Sequence, residues 1–416
     1  MTTERLTEHN EATAGLWIQT TWRPNCTPNP LAWQDVGDWK RIQEAARPER
    51  EAAEQELRAA GSSLREITGG FNERFGTPRR VHAARARRQP PPAGTWPGWY
   101  DPRDVLAIAL GAPEPRWMNG SWWHDREHYA LSWVESPADV ARIKAPTWPR
   151  LPVVERMLAK REQWQRECPN DPPSGFGLAY DLTIPGHDPA QSLNYPSFVD
   201  LGVFLMGMTR FLTALAGEPE LGDALMDKCF ELSTSYTEFL LSLKPERFEA
   251  LCGFGGDATA MLSPKLYERY SAAWDLRLFD YARRGHDLPD DLPCNLHSCG
   301  ASGHLYDLWG AHPCHRNITT VQTRLLPGHV KRLRQNLPHT QLELTIHPPQ
   351  FDMATARPDE VREVLWTTAR EAGFRDLHIG VIAAVHRIED LPRVERNLWI
   401  CDQAIAEIRQ HSPPDA

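Results

Sequence analysis

The chain has 416 residues, more than a minimal binding module needs and enough for one large domain or two ordinary ones. Lys+Arg at 46 against Asp+Glu at 55 gives a net charge of −9, which speaks against a general nucleic-acid or anionic-membrane binder. Hydrophobic residues at 41% supply a full core, and the longest apolar stretch, residues 201–208, is followed by Arg210 well short of a membrane span. The eight cysteines, at 26, 168, 229, 252, 294, 299, 314 and 401, are dispersed, with no disulfide framework. No leader-like segment opens the chain at MTTERLTEHN, so reduced thiols in a cytoplasm are expected.

Residues 1–100 are polar and irregular in pattern. The spacing predicts a helix from about Asp38 to Ala60, followed by an arginine cluster at Arg79, Arg80, Arg85, Arg87 and Arg88 and then a triple proline at 90–92. That cluster reads as a solvated face before a linker, or else as an anion site. The segment is expected to be an N-terminal helical or irregular extension that does not fold by itself, lying over the mouth of the following domain or at a subunit interface. Trp117, Trp122, Trp123 and His124 form the densest aromatic group and fall on a predicted loop after Gly111. They would wall a flat or methylated substrate, or serve as core or as a homodimer surface. Segments 151–167 and 197–243 read as amphipathic helices.

In the second half, short apolar runs at Ala250–Phe254, Asn295–Cys299, Asn317–Gln322, Leu342–His347 and Leu377–Ala383 alternate with helical segments at Pro264–Arg284, Gly328–Asn336, Pro358–Ala372 and Leu391–Arg409. That rhythm is the signature of a parallel sheet with crossover helices. The runs themselves alternate in polarity. Gln341, Glu343, Thr345 and His347 oppose Leu342, Leu344 and Ile346; Asn295, His297 and Cys299 oppose Leu296 and Ser298; Asp376, His378 and Gly380 oppose Leu377, Ile379 and Val381. A parallel strand buried on both faces would be apolar throughout. A closed barrel accounts for the pattern, with the apolar face on the helix ring and the polar face in the lumen.

The segment Leu296-His297-Ser298-Cys299-Gly300 carries the most chemistry. An imidazole and a thiol two residues apart on a strand form a zinc-type ligand pair, with Gly300 letting the chain turn away. The same spacing also fits a buried histidine bonded to a carbonyl beside an inert cysteine.

Gly253-Phe254-Gly255-Gly256-Asp257, the helix start Ser263-Pro264-Lys265-Leu266-Tyr267, the His297-Ser298-Cys299-Gly300 strand end and the helix start Arg357-Pro358-Asp359-Glu360-Val361 together resemble the uroporphyrinogen decarboxylase superfamily, over roughly residues 195–408. The resemblance implies a (β/α)8 TIM barrel, here over 101–410, and two chemistries. Decarboxylases of the superfamily bind an acidic tetrapyrrole with N-terminal arginines and an aspartate. Its corrinoid or thiol methyltransferases hold zinc with His-x-Cys and a later Cys. His297 and Cys299 match the first two ligands of that second branch, while the later Gly-Cys-Gly falls near Ile382-Ala383-Ala384, where no cysteine stands, and a Gly-Asn is replaced by Ile346-His347.

The expectation is therefore a metal-assisted methyl transfer to or from a small thiol, corrinoid or methylated substrate, with zinc as cofactor and a corrinoid protein as partner. The alternatives are a metal-independent decarboxylase or a binding protein without catalysis. His297, Cys299 and His347 are the expected metal ligands, and Asp257, Glu343 and His347 the expected catalytic groups. Trp122, Trp123, His124, His378 and His386 are expected to line the substrate.

Overall fold

A computed structural model describes residues 16–19, 102–114, 116–118, 121–123, 129–167, 192–243, 250–346, 351–381 and 391–411. The expected helix at 38–60, the arginine cluster at 79–88, and His124, His347 and His386 lie outside the described residues. Seven parallel strands form one sheet: β1 (Leu16–Gln19), β4 (Ser192–Asn194), β5 (Ala250–Gly255), β6 (Cys294–Ser298), β7 (Ile318–Arg324), β8 (Gln341–Ile346) and β9 (Leu377–Val381), in the order β1-β9-β8-β7-β6-β5-β4. The fold is thus α/β with a parallel sheet; among the described residues no pairing joins β1 to β4 to close a barrel.

The five strands read from the apolar runs are all present within one or two residues of their expected bounds. β1 and β4, with four and three residues, are too short to show periodicity and were not expected. Leu16 pairs with Leu377 and Gln19 with Gly380, so the sheet begins well before residue 100 and the expected boundary there does not separate an extension from the domain. A second correction concerns the tryptophans. Residues 116–118 and 121–123, expected on a loop after Gly111, form a two-stranded antiparallel pair, β2 (Arg116–Met118) and β3 (Ser121–Trp123), in which Trp117 pairs with Trp122 and Arg116 with Trp123 in register.

The helices between the strands follow from local chemistry. The Oγ of Ser263 caps the helix opened by Pro264, accepting from the Leu266 N–H at 3.4 Å. Glu360 reaches back from the first turn of Pro358–Glu371 to accept the Arg357 N–H at 2.8 Å. Between strands and helices lies the core. Leu296, Val321, Leu342, Leu344, Ile346, Leu377 and Ile379 are buried and join Leu333, Val361, Leu365 and Ile405 in one apolar cluster. Each such side chain contributes about 2 kcal/mol by leaving water. The opposite strand face is polar, and its register runs His297, Gln322, Glu343, His378 from β6 to β9. The sheet therefore presents one row of polar side chains on the face opposite these helices.

Candidate metal centre

The site begins where β5 ends. Gly256 has φ +129° and a Cβ there would lie 2.2 Å from Ser197 Oγ, so only glycine passes. Its N–H donates to the His297 carbonyl at 2.6 Å, tying the end of β5 to β6. Ser197 donates to the Gly255 carbonyl, and the Gly255 N–H donates to the carboxylate of buried Asp275 at 3.1 Å. Asp275 also accepts from His312 Nε2 at 3.3 Å; the His312 Nδ1 accepts the Cys314 N–H at 3.0 Å, which leaves Nε2 as the protonated nitrogen. Asp200 then accepts the N–H groups of Asp257 and Ala258, at 3.0 and 2.8 Å, one on each oxygen. The backbone of Asp257 is fixed from three sides before its side chain meets anything.

That side chain meets His297 and Cys299. His297 Nε2 lies 2.8 Å from Asp257 Oδ1 and 3.0 Å from Cys299 Sγ, and the Cys299 N–H donates to Asp257 Oδ1 at 3.1 Å. Behind the ring, His297 Nδ1 donates to Gln322 Oε1 at 2.7 Å across the β6–β7 register. β6 ends at Ser298, so Cys299 stands just past the strand rather than on it; Ser298 points away and bonds Ser302 at 2.6 Å. Gly300 serves close packing: its φ is ordinary, but a Cβ would sit 2.1 Å from Ala260 Cβ, so the glycine lets the Cys299 loop lie against the turn that carries Asp257.

Charge is concentrated here. Burial pushes the Asp257 carboxyl up, but the His297 hydrogen bond and charge, with the Cys299 N–H, hold it well below the usual carboxylate range. Burial pulls His297 down, and its bonds to Asp257 and Cys299 outweigh that and hold it well above the usual imidazole value. For Asp200, burial first and the Asp257 charge second raise the carboxyl, against the two N–H groups it accepts. Cys229, Cys294, Cys314 and Cys401 are buried, and burial pushes the Cys229 and Cys314 thiols up to about 12. Cys299 is the half-exposed thiol among these five.

Asp257 Oδ1, His297 Nε2 and Cys299 Sγ lie within 4.8 Å of one another, as a shared cation requires. Zinc–ligand bonds of about 2.0–2.3 Å at tetrahedral angles put N and O about 3.3 Å apart, and N and S about 3.6 Å apart. The separations of 2.8 and 3.0 Å would open by roughly half an ångström, within the reach of side-chain rotation. Nitrogen, sulfur and one carboxylate oxygen suit zinc and exclude magnesium and calcium as natural occupants. The residues fit the metal. Gln322 orients the imidazole from behind, as outer partners of ligating histidines do.

Glu343 and His378 stand in the same polar row but two and three strands from β6, about 10 and 14 Å away at the usual strand spacing. Glu343 is buried, with its Oε1 4.0 Å from His378 Nδ1, so the two form a pair of their own outside the three-residue cluster. Sequence reasoning missed Asp200, Asp275 and Gln322. Gln322 was legible as polar on a strand; its pairing with His297 depends on register. Beside Asp257, whose side chain is 59% exposed, opens a cavity of about 270 Å³.

No family model matches the chain, and no curated protein matches it. It is similar to a solved structure, a methyltransferase from Methanosarcina mazei, at 14% sequence identity and a TM-score of 0.44, over 73% of this chain and 77% of that chain.

Proposed function

We propose that this chain is a metal-assisted enzyme that transfers a methyl group to or from a small thiol or methylated substrate, with zinc held by Asp257 Oδ1, His297 Nε2 and Cys299 Sγ. The convergence of those three donors from two strand ends, with Asp257 also on the wall of a cavity, is the observation that carries the reading. A corrinoid as methyl donor or acceptor is what the sequence resemblance adds. Asp257 takes, in this reading, the third place for which the sequence suggested His347, and the fourth position is left open for water or substrate. Zinc in such a set favours the deprotonated, nucleophilic form of a substrate thiol.

The chain's own residues prepare the site. Gln322 takes the Nδ1 proton of His297 in a hydrogen bond, so the Nε2 lone pair is the one left to ligate once its proton departs. Asp200 and Asp275 hold the backbone around Asp257, so its carboxylate needs no reorganisation to face the imidazole. Cys299 brings a thiol whose proton is lost on ligation, making metal uptake depend on pH.

The test is elemental analysis of untagged protein, with zinc titration of wild type, Cys299→Ser, Asp257→Asn and His347→Ala, and transfer of an isotopically labelled methyl group to a thiol followed by mass spectrometry. The expected result is stoichiometric zinc, weakened at least about tenfold in the first two variants. If all proteins bind zinc alike, or none binds at micromolar concentration near neutral pH, the reading fails. Carbon dioxide release from a carboxylated substrate by metal-free protein would favour the decarboxylase chemistry instead.

A further inference from the structure

We infer that the cavity beside Asp257 is the seat of a compact, uncharged, single-ring aromatic portion of the substrate. Among the described residues it is bounded by the helix Pro102–Ala109 and residues 112–113, by 129–130, by the helix Phe198–Met206 with Met208, and by Asp257, Ala258 and Met261. Its walls are mainly apolar: Ala107, Pro113, Val203, Phe204, Met208 and Met261. Several polar groups on the wall are already engaged. Both oxygens of Asp200 accept backbone N–H groups, Arg103 lies over the Phe204 ring at 5.7 Å, and the Arg103 charge acts on Asp200. Asp257 Oδ1 is taken by His297 and Cys299. An uncharged ring leaves these contacts in place, whereas a charged guest would compete with them.

Size and rim point the same way. A cavity on the order of 150 Å³ accommodates benzene, so about 270 Å³ takes one substituted ring. Met261 is 58% exposed and Met208 44% exposed, two of the few large apolar side chains so open to water among the described residues, and both stand on this cavity. Methionine is the side chain that adapts to, and makes favourable sulfur contacts with, aromatic rings. Such exposed apolar surface on a concave site marks ligand contact. A ring seated here would carry its reacting substituent toward the Asp257 carboxylate. Only that last statement rests on the metal-centre reading; the binding of the ring does not.

The test uses the full chain and p-cresol as probe, with benzoate and benzylammonium as charged counterparts, by calorimetry and ligand-observed NMR. Saturable one-to-one binding of p-cresol is expected with a Kd of about 1 mM or tighter, and at least about fivefold weaker binding of both charged compounds. Val203→Trp fills the cavity and should abolish binding. Should that variant fail to fold, Met208→Glu with Met261→Glu, both on exposed positions, should weaken p-cresol at least about fivefold. Cys299→Ser, with its zinc site impaired, should bind p-cresol as wild type does. No saturable binding up to about 10 mM, wild-type binding by a folded Val203→Trp or by the double methionine variant, or charged compounds binding as tightly as p-cresol would each overturn the inference. Loss of zinc binding alone would not.

Discussion

Replacing Gly300 by alanine tests whether the close approach of two turns builds the metal centre. The new Cβ would stand 2.1 Å from Ala260 Cβ, while its next contacts, Asp257 O at 3.4 Å and Ala260 Cα at 3.6 Å, are ordinary. Relief therefore requires the two turns to part by about 1.3 Å, the gap between 2.1 Å and the 3.4 Å where normal contact begins. Cys299 is the adjacent residue, and its N–H sits 3.1 Å from Asp257 Oδ1. A displacement of that size breaks this hydrogen bond and moves the thiol away from the imidazole. Overpacking should cost about 1–3 kcal/mol of stability, and the disturbed donor set about 10- to 100-fold in zinc affinity. Chelator-competition titration reads the affinity, and urea melts read the stability. Because a single methyl group is the obstacle, Gly300→Ala combined with Ala260→Gly should recover most of the affinity. Wild-type zinc binding in the single variant, or no recovery in the pair, would refute the reasoning.

Three further outcomes are expected. Gln322→Leu removes the acceptor behind His297 and should weaken zinc about 10- to 100-fold, with Gln322→Glu retaining most of the affinity in the same titration. In metal-free protein the Asp257–His297 contact has a defined pH window. The depressed Asp257 value contributes stability above its unfolded pKa, lost as pH falls, and the raised His297 value contributes stability below its own, lost as pH rises; the Tm penalty of Asp257→Asn under chelation should thus be largest between roughly pH 4 and 6.5 and shrink toward pH 9. Buried Arg334 donates to the carbonyls of Leu337, Thr340, Ala372, Arg375 and Asp376, and burial lowers its pKa to about 10, so Arg334→Met should cost about 3 kcal/mol in urea melts while leaving zinc affinity unchanged.

The sheet was legible where strands are long enough for alternation to show. Leu342, Leu344 and Ile346 are buried as their spacing requires, and Glu343 shares the polar row with Gln322 and His378. Three-residue and four-residue strands carry no period, which is why β1 and β4 escaped and why the tryptophan pair at 117 and 122 read as a loop. Of the site, His297 and Cys299 stood out by chemistry, and Asp257 by resemblance. Their meeting point did not, because it is set by contacts between segments far apart in the chain: the register that puts Gln322 behind His297, the N–H groups that Asp200 takes from Asp257 and Ala258, and the missing Cβ at Gly300. Each is a tertiary fact with no local signature.

The pairing of Leu16–Gln19 with Leu377–Val381 has a consequence for how the chain comes to be folded. A ribosome releases β1 first, yet its partner emerges only after nearly all the rest of the sheet has been made. Until then Leu16, Trp17 and Ile18 have no strand to join, and closing that contact spans almost the whole chain, the kind of non-local step that slows folding. The penalty falls on the late chain as well. Without β1, β9 would be an edge, its backbone N–H and C=O groups open to any passing strand. Chains cut short at either end are therefore expected to collect as aggregates, even though Asp257, His297 and Cys299 lie at the ends of β5 and β6, far from β1 and β9 in sequence.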